Sequence, residues 1–380
     1  MKSFRCIVVL LAALLVLPPM AHSQASKKLF KKALKAQKKG DKPKASELYK
    51  RTIEADPQHA KAHYNLGCIY MAANNWQNAL HHFNLCLASD STMAEAWYNR
   101  GCVQLYRQAL FKAERDLNRA LLLDSSNVNA LLNLGILYSH KKMNQLAHDN
   151  FTKVIALEPN YALAYMNRAV VRAKMEDPWS ALNDYSVAIA LDSSNLEAWE
   201  GRVGLRMALQ DYSKAVDELN IIVQRFPEYV DGWKNLGYLY MLEQNWQGAV
   251  SSYTELIQLD SLYFTAWNNR GFAHQKMEQH KEALADFEIA IYLEPYDPFA
   301  RNNRGYAYLM TNQLDNAIED LDEAIYLDET NASAYRNRAH YYLTVENFTA
   351  ACEDIRSALD RGYTEQYGAE MKKLRAKHCY

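Results

Sequence analysis

From Ser26 onward, apolar residues recur at three- and four-residue spacing, the pattern of amphipathic helices, and the whole pattern returns every 34 residues. Ten frames run without insertion or deletion: 26–59, 60–93, 94–127, 128–161, 162–195, 196–229, 230–263, 264–297, 298–331 and 332–365. Position 20 of the frame is alanine all ten times: Ala45, Ala79, Ala113, Ala147, Ala181, Ala215, Ala249, Ala283, Ala317 and Ala351. Position 8 is Gly67, Gly101, Gly135, Gly237, Gly271 or Gly305, or else Ala33, Ala169 or Ala339, and only Val203 is larger. Position 24 is always bulky and apolar, from Tyr49 and Phe83 to Ile355. Small residues facing a bulky one predict two helices in close contact within each frame. Helix A is expected over positions 1 to about 14 and helix B over 18 to about 31, where Pro57, Pro159, Pro227 and Pro295 end it. In the remaining segment, 366–380, Met371 and Leu374 stand among charged residues and predict an amphipathic capping helix.

In the frame 230–263, Trp233, Leu236, Gly237 and Tyr240 stand at the spacing W-x2-L-G-x2-Y, with Ala249 and Tyr253 following. This resembles the tetratricopeptide repeat (TPR) family, and the resemblance runs over residues 26–365. It implies an all-α fold, a right-handed α-solenoid of ten helix-turn-helix repeats. It also implies a concave face, lined by the A helices, that binds peptides or partner segments.

Residues 1–23 read differently. Lys2 and Arg5 precede an apolar run from Cys6 to Leu17, which Pro18 and Pro19 break. The run is too short to span a membrane. With the small residues Ala21 and Ser23, it reads as a signal peptide cleaved after Ser23. The expected product is an exported protein, periplasmic or secreted, with its repeats in residues 24–365. Losing residues 1–23 moves the net charge from −1 to −3, which argues against a general nucleic-acid-binding surface.

Positions 7 and 23 vary together. Arg100, Arg168, Arg202, Arg270, Arg304 and Arg338 are followed sixteen residues later by Asp116, Asp184, Glu218, Asp286, Asp320 and Asp354. The four frames without arginine have no acid there. The correlation predicts six structural ion pairs joining helix A to helix B.

Position 6 is asparagine in eight frames: Asn65, Asn99, Asn133, Asn167, Asn235, Asn269, Asn303 and Asn337. Asparagine is a middling helix former, so the recurrence needs a cause. Two are open: a bond between adjacent repeats, or a ladder presenting donors and acceptors to a bound backbone. Positions 5 and 9 flank it. In the later frames they include Lys234, Tyr238, Phe272, Tyr306, Arg336 and His340, a mixture suited to partner binding. In the earlier ones they are apolar, as at Leu132, Ile136, Met166 and Val170. The frame 196–229 breaks the pattern with Gly201, Val203 and Gly204, which reads either as drift or as a flexible joint.

Other candidates carry less. Cys68 and Cys102 occupy equivalent positions in neighbouring repeats, about 8–10 Å apart, too far to bond. Cys352 and Cys379 would meet only if the cap folds back. His59, His63, His81 and His82 cluster without a closed ligand set, so no metal and no cofactor are expected. No phosphate loop or hydrolase elbow occurs. The first mature frame is crowded with lysine, either as a solvated cap or as a contact for anionic membrane. The sequence reading is a non-catalytic exported scaffold for a protein or extended peptide segment. A periplasmic chaperone-like factor is the first alternative, and an enzyme built on the histidines or cysteines is the second.

Overall fold

The computed structural model describes residues 19–362 and 368–379. Among them are twenty-one helices and no strand. The first pair is α1 (Pro19–Lys38) and α2 (Lys42–Ala55). Nine pairs follow: α3 (Ala60–Ala72) and α4 (Trp76–Ser89), α5 (Ala94–Tyr106) and α6 (Leu110–Leu123), α7 (Val128–His140) and α8 (Asn144–Leu157), α9 (Ala162–Lys174) and α10 (Pro178–Leu191), α11 (Leu196–Ala208) and α12 (Tyr212–Arg225), α13 (Val230–Leu242) and α14 (Trp246–Leu259), α15 (Phe264–Lys276) and α16 (His280–Leu293), α17 (Pro298–Met310) and α18 (Leu314–Leu327), α19 (Ala332–Thr344) and α20 (Phe348–Asp360). Helix α21 (Gly368–His378) closes the chain. From α3 onward each A helix starts 34 residues after the last. The fold is all-α, and within each unit the helices pack as successive A–B pairs.

Helix α1 starts seven residues before the first frame. Pro19 suits a first helical turn, where no backbone N–H is needed, and no breaker follows it before Gly40. The expected cleavage point after Ser23 therefore lies within α1. Residues 1–18 of the expected signal peptide lie outside the described residues, as do 363–365 of the tenth frame and Gln366, Tyr367 and Tyr380 of the cap.

The A–B turn is built the same way each time. Position 15 has positive φ in nine frames as a non-glycine, from Asn74 (56°) to Glu346 (60°), and in the first as Gly40 (77°). Around Asn74, Asn75 N–H donates to Tyr70 O (2.8 Å) and Asn74 N–H to Met71 O (3.0 Å). That is the bonding of a Schellman motif, which satisfies carbonyls the helix end leaves open. Inside each pair the bulky residue at position 24 lies on the small one at position 8. A Cβ added to Gly135 would stand 2.5 Å from Phe151, and one added to Gly237 would stand 2.8 Å from Tyr253.

The chain divides into two compact units, residues 1–202 and 203–380, so the division falls within α11. In the first unit, a Cβ on Gly201 would lie 2.5 Å from the Tyr185 ring. The missing side chain at Gly201 is thus required by its packing against Tyr185.

Helix α21 packs Met371 into a cluster with Ala334, Tyr335 and Ile355, and Leu374 lies against it. Cys379 is bonded to Cys352 with their Cα atoms 5.6 Å apart. Cys68, Cys86 and Cys102 are free.

Candidate functional site

Five of the arginines fork onto their acids. Arg100 Nε and Nη2 donate to Asp116 at 2.6 and 2.9 Å, and Arg168 donates to Asp184 twice at 2.8 Å. Arg270–Asp286, Arg304–Asp320 and Arg338–Asp354 repeat the geometry at 2.6–2.9 Å. The third guanidinium arm reaches the preceding B helix: Arg100 to Asn84, Arg168 to Thr152, Arg270 to Thr254 and Arg338 to Asp322. Each of these four arginines thus joins three helices. The sixth expected pair, Arg202 with Glu218, belongs to different units. Within their own units, Arg202 donates to Ser186 and Glu218 accepts from Arg206.

In three of the four frames without arginine, position 23 finds another partner, and in the first it is the buried Leu48. Ser252 donates to Gly248 O and Asn150 to Leu146 O. His82 faces the buried His63, Nδ1 to Nδ1, at 3.0 Å, and His63 Nε2 faces Pro57 O. Burial and the neighbouring His63, His81 and Lys50 hold His82 down to about 4. Burial likewise holds His63 below its ordinary range.

The position-6 asparagines bond mostly between adjacent repeats. Asn99 donates to Tyr64 Oη (3.2 Å) and Cys68 Sγ (3.5 Å), and Asn133 donates to Cys102 Sγ (3.5 Å). In the second unit Asn269, Asn303 and Asn337 join the position-5 Asn268 and Asn302 in a continuous row. Arg336 donates to Asn337, Asn337 to Asn302, Asn302 to Asn303, Asn303 to Asn268, Asn268 to Asn269 and Asn269 to Tyr253 Oη, over 2.8–3.4 Å. Asn167 instead donates back to Leu163 O in its own helix. Asn65 and Asn235 are half-buried at the equivalent places.

Two of the expected groove residues have their partner inside the chain. Arg336 makes a two-armed contact with Glu370 of α21 at 3.1 Å, and His340 Nε2 lies 3.0 Å from the same carboxylate. Glu370 stands 34 residues after Arg336, so α21 sits where the next A helix would. Arg336 and His340 are therefore cap contacts rather than an open partner face. Tyr306 lies under the Arg336 guanidinium (5.5 Å), and Lys234 is paired with Asp231. Leu132 and Met166, two of the apolar residues that flank the earlier asparagines, are buried in the first unit's own packing.

Tyr238 and Phe272 have a different setting. With Asn269 they line a groove of about 710 Å³, completed by Met241, Leu242, Gln244, Trp246 and Lys276. Trp246 meets Phe272 edge-on with centroids 6.2 Å apart, and Lys276 Nζ lies 5.1 Å from the Phe272 ring centre. Tyr238 is 49% exposed. Burial and the nearby Arg336 push the Lys276 ammonium below its ordinary range. The first unit has a counterpart of about 500 Å³, lined by Met71, Ala72, Trp76, Tyr98, Asn99, Cys102 and Tyr106. Trp76 stacks on Tyr106 at 4.0 Å. Met71 and Met241, Trp76 and Trp246, Asn99 and Asn269, and Cys102 and Phe272 are each 170 residues, or five repeats, apart. The tryptophans carry a sequence signal that the frame-by-frame reading missed. Asn-Trp-Gln occurs at 75–77 and 245–247, and in no other frame is position 17 tryptophan.

Burial pushes the Cys68 and Cys102 thiols upward, away from a reactive thiolate. Among the described residues no three His, Cys, Asp or Glu side chains converge on a metal-sized site.

Three family models, each described as tetratricopeptide repeat, match the chain: one at 30–94 and 201–264, one at 264–297 and one at 300–331. Together they span just over half of it. No curated protein matches at the sequence level. Among solved structures, MamA is 24% identical, with 43% of this chain and 96% of MamA covered and a TM-score of 0.40. YrrB, described as a TPR protein with an unusual peptide-binding site, is 21% identical, with coverage of 48% and 98% and a TM-score of 0.44. The pilF protein of Pseudomonas aeruginosa is 20% identical, with coverage of 55% and 94% and a TM-score of 0.46.

Proposed function

Because the chain belongs to the tetratricopeptide repeat family, we propose that it is a non-catalytic scaffold that binds an extended segment of a protein partner through its aromatic grooves. One observation carries the reading: the same groove, with the same tryptophan, methionine and asparagine, recurs after five repeats. Each offers an open aromatic wall beside an amide. A large apolar side chain would enter against Trp246 and Phe272, while the amide of Asn269, which uses one N–H toward Tyr253, offers another to the segment's backbone. Rigid helices hold these groups in place before binding, so the segment bears most of the ordering cost.

Selection from a displayed peptide library tests this. Recovered peptides are expected to share a large apolar or aromatic anchor, and Trp246→Ala or Tyr238→Ala, each in a Trp76→Ala background, should weaken them about tenfold or more. Peptides without a common anchor, bound equally by both variants, count against the grooves. The scaffold is proposed to act after export, on the strength of the charged start, short apolar run and small residues of 1–23. N-terminal sequencing of exported protein should begin at Gln24, and a chain retaining Met1 argues against cleavage.

A further inference from the structure

We propose that the first helix hairpin is an electrostatic docking surface for anionic lipid headgroups. The net charge of the chain is −1; residues 1–23 carry +2 and residues 24–59 carry +7, which leaves −10 for residues 60–380. Positive charge is thus concentrated at one end of the sequence. In α1 and the residue that follows it, the charge is further confined to one face. Lys27, Lys28, Lys31, Lys32, Lys35, Lys38 and Lys39 are all exposed, whereas Ser26, Ala33 and Ala36 are buried. At 100° per residue, these lysines fill an arc of about 140° opposite Ala33, in a stripe about 18 Å long. No acid lies on α1, and Asp41 is the nearest in sequence. Lys42, Lys44 and Lys50 of α2 are also exposed.

The composition of the stripe selects the partner. It holds lysine alone, with neither the arginine forks nor the aromatic anchors that specific protein or nucleic-acid recognition uses. Mobile ammonium groups in a straight line suit a flat, fluid sheet of negative headgroups, which attracts each lysine within about a Debye length, roughly 8 Å at physiological salt. The stripe faces away from the core of the first hairpin, formed by Ala33, Ala36, Ala45, Leu48 and Tyr49, so docking needs no rearrangement. The grooves of both units are lined by later residues, outside the first hairpin.

Flotation with vesicles tests the proposal, using the full chain and the same chain begun at Gln24, which lacks the apolar run. The vesicles are phosphatidylcholine alone, or with about one third phosphatidylglycerol. The shorter form is expected to float only with the anionic vesicles and to be released as salt rises. In both forms, changing Lys27, Lys28, Lys31 and Lys32 together to Gln should lower binding to anionic vesicles about tenfold or more. An equal charge change at Lys281, Lys372, Lys373 and Lys377, all exposed elsewhere, should leave it nearly unchanged. Circular dichroism of both variants should match the parent, since all eight side chains are exposed. The idea is overturned if the shorter form binds neutral vesicles equally, binds neither kind, or loses binding equally in both variants. Tight binding to duplex DNA without vesicle binding would overturn it too.

Discussion

Arg270 and Asp286 show how a residue pair can be both structural and costly to disturb. Asp286 is 6% exposed at its side chain and Arg270 is 17% exposed, so neither charge has much access to water once its partner is removed. Asp286→Ala should therefore cost about 3–5 kcal/mol in chemical denaturation, and changing Arg270 to Leu and Asp286 to Ser together should cost less. Equal losses would contradict the pairing. The histidine contact gives a pH effect. Nδ1 of His63 and Nδ1 of His82 can share a hydrogen only while at least one ring is neutral. Both folded-state values lie below the unfolded value of about 6.5. The unfolded chain therefore takes up protons first. Stability is full above about pH 6.5 and falls as pH drops toward 4, and His82→Asn should flatten that part of a melting-temperature profile. At this scale the sequence was informative where two residue types vary in step, as at positions 7 and 23. It was silent about the third arginine arm, because Asn84, Thr152, Thr254 and Asp322 share only the ability to accept a hydrogen bond.

Helix boundaries followed from the 34-residue period, but the turn between A and B helices did not. Position 15 holds Asn, Gln, Lys, Glu and Gly, a mixture with no obvious turn signature, yet every one has positive φ. A left-handed non-glycine residue is strained. Glu278→Gly should accordingly raise stability by up to about 1 kcal/mol, whereas Gly40→Ala should lower it by about the same, both read from denaturant midpoints. The start of α1 was hidden for another reason: residues 19–23 read as the end of a signal peptide, and that reading masked their compatibility with a helix. The cap was visible from Met371 and Leu374, but its disulfide was not, because sequence alone leaves the fold-back of residue 379 open. The bond closes a segment of 27 residues. Cys379→Ser should lower the stability of α21 by up to about 3 kcal/mol, with faster amide exchange in residues 368–379 as the direct measurement.

For the whole molecule, the repeat count and helical class were legible because ten frames carry the same signal. The proposed groove was legible only in part. Tyr238 and Phe272 were singled out as aromatics, but Arg336 and His340 were singled out equally, since sequence does not reveal that α21 takes the place of an eleventh A helix. Trp76 and Trp246 escaped because each looks ordinary within its own frame, and only a comparison five frames apart marks them. Their equivalence predicts a stoichiometry. A peptide selected on the protein should bind twice per chain in calorimetry, and Trp76→Ala and Trp246→Ala should each reduce that to one. A single site in the parent, unaffected by Trp76→Ala, would show that the first groove is idle.

The asparagine row of the second unit has one more consequence. A primary amide can be turned over with little change in shape, exchanging oxygen for nitrogen, so a chain of them could run in either sense. Arg336 removes the choice. A guanidinium has nothing to accept with, so Asn337 must show it oxygen and turn its nitrogen toward Asn302. The same constraint passes to Asn303, Asn268 and Asn269 and ends at the Tyr253 hydroxyl. One cation at the far end thus sets the handed sense of every amide in the row, as a diode sets the direction of a current. In Arg336→Met the row would be free to reverse, and Asn269 would then meet Tyr253 with its oxygen instead of its nitrogen.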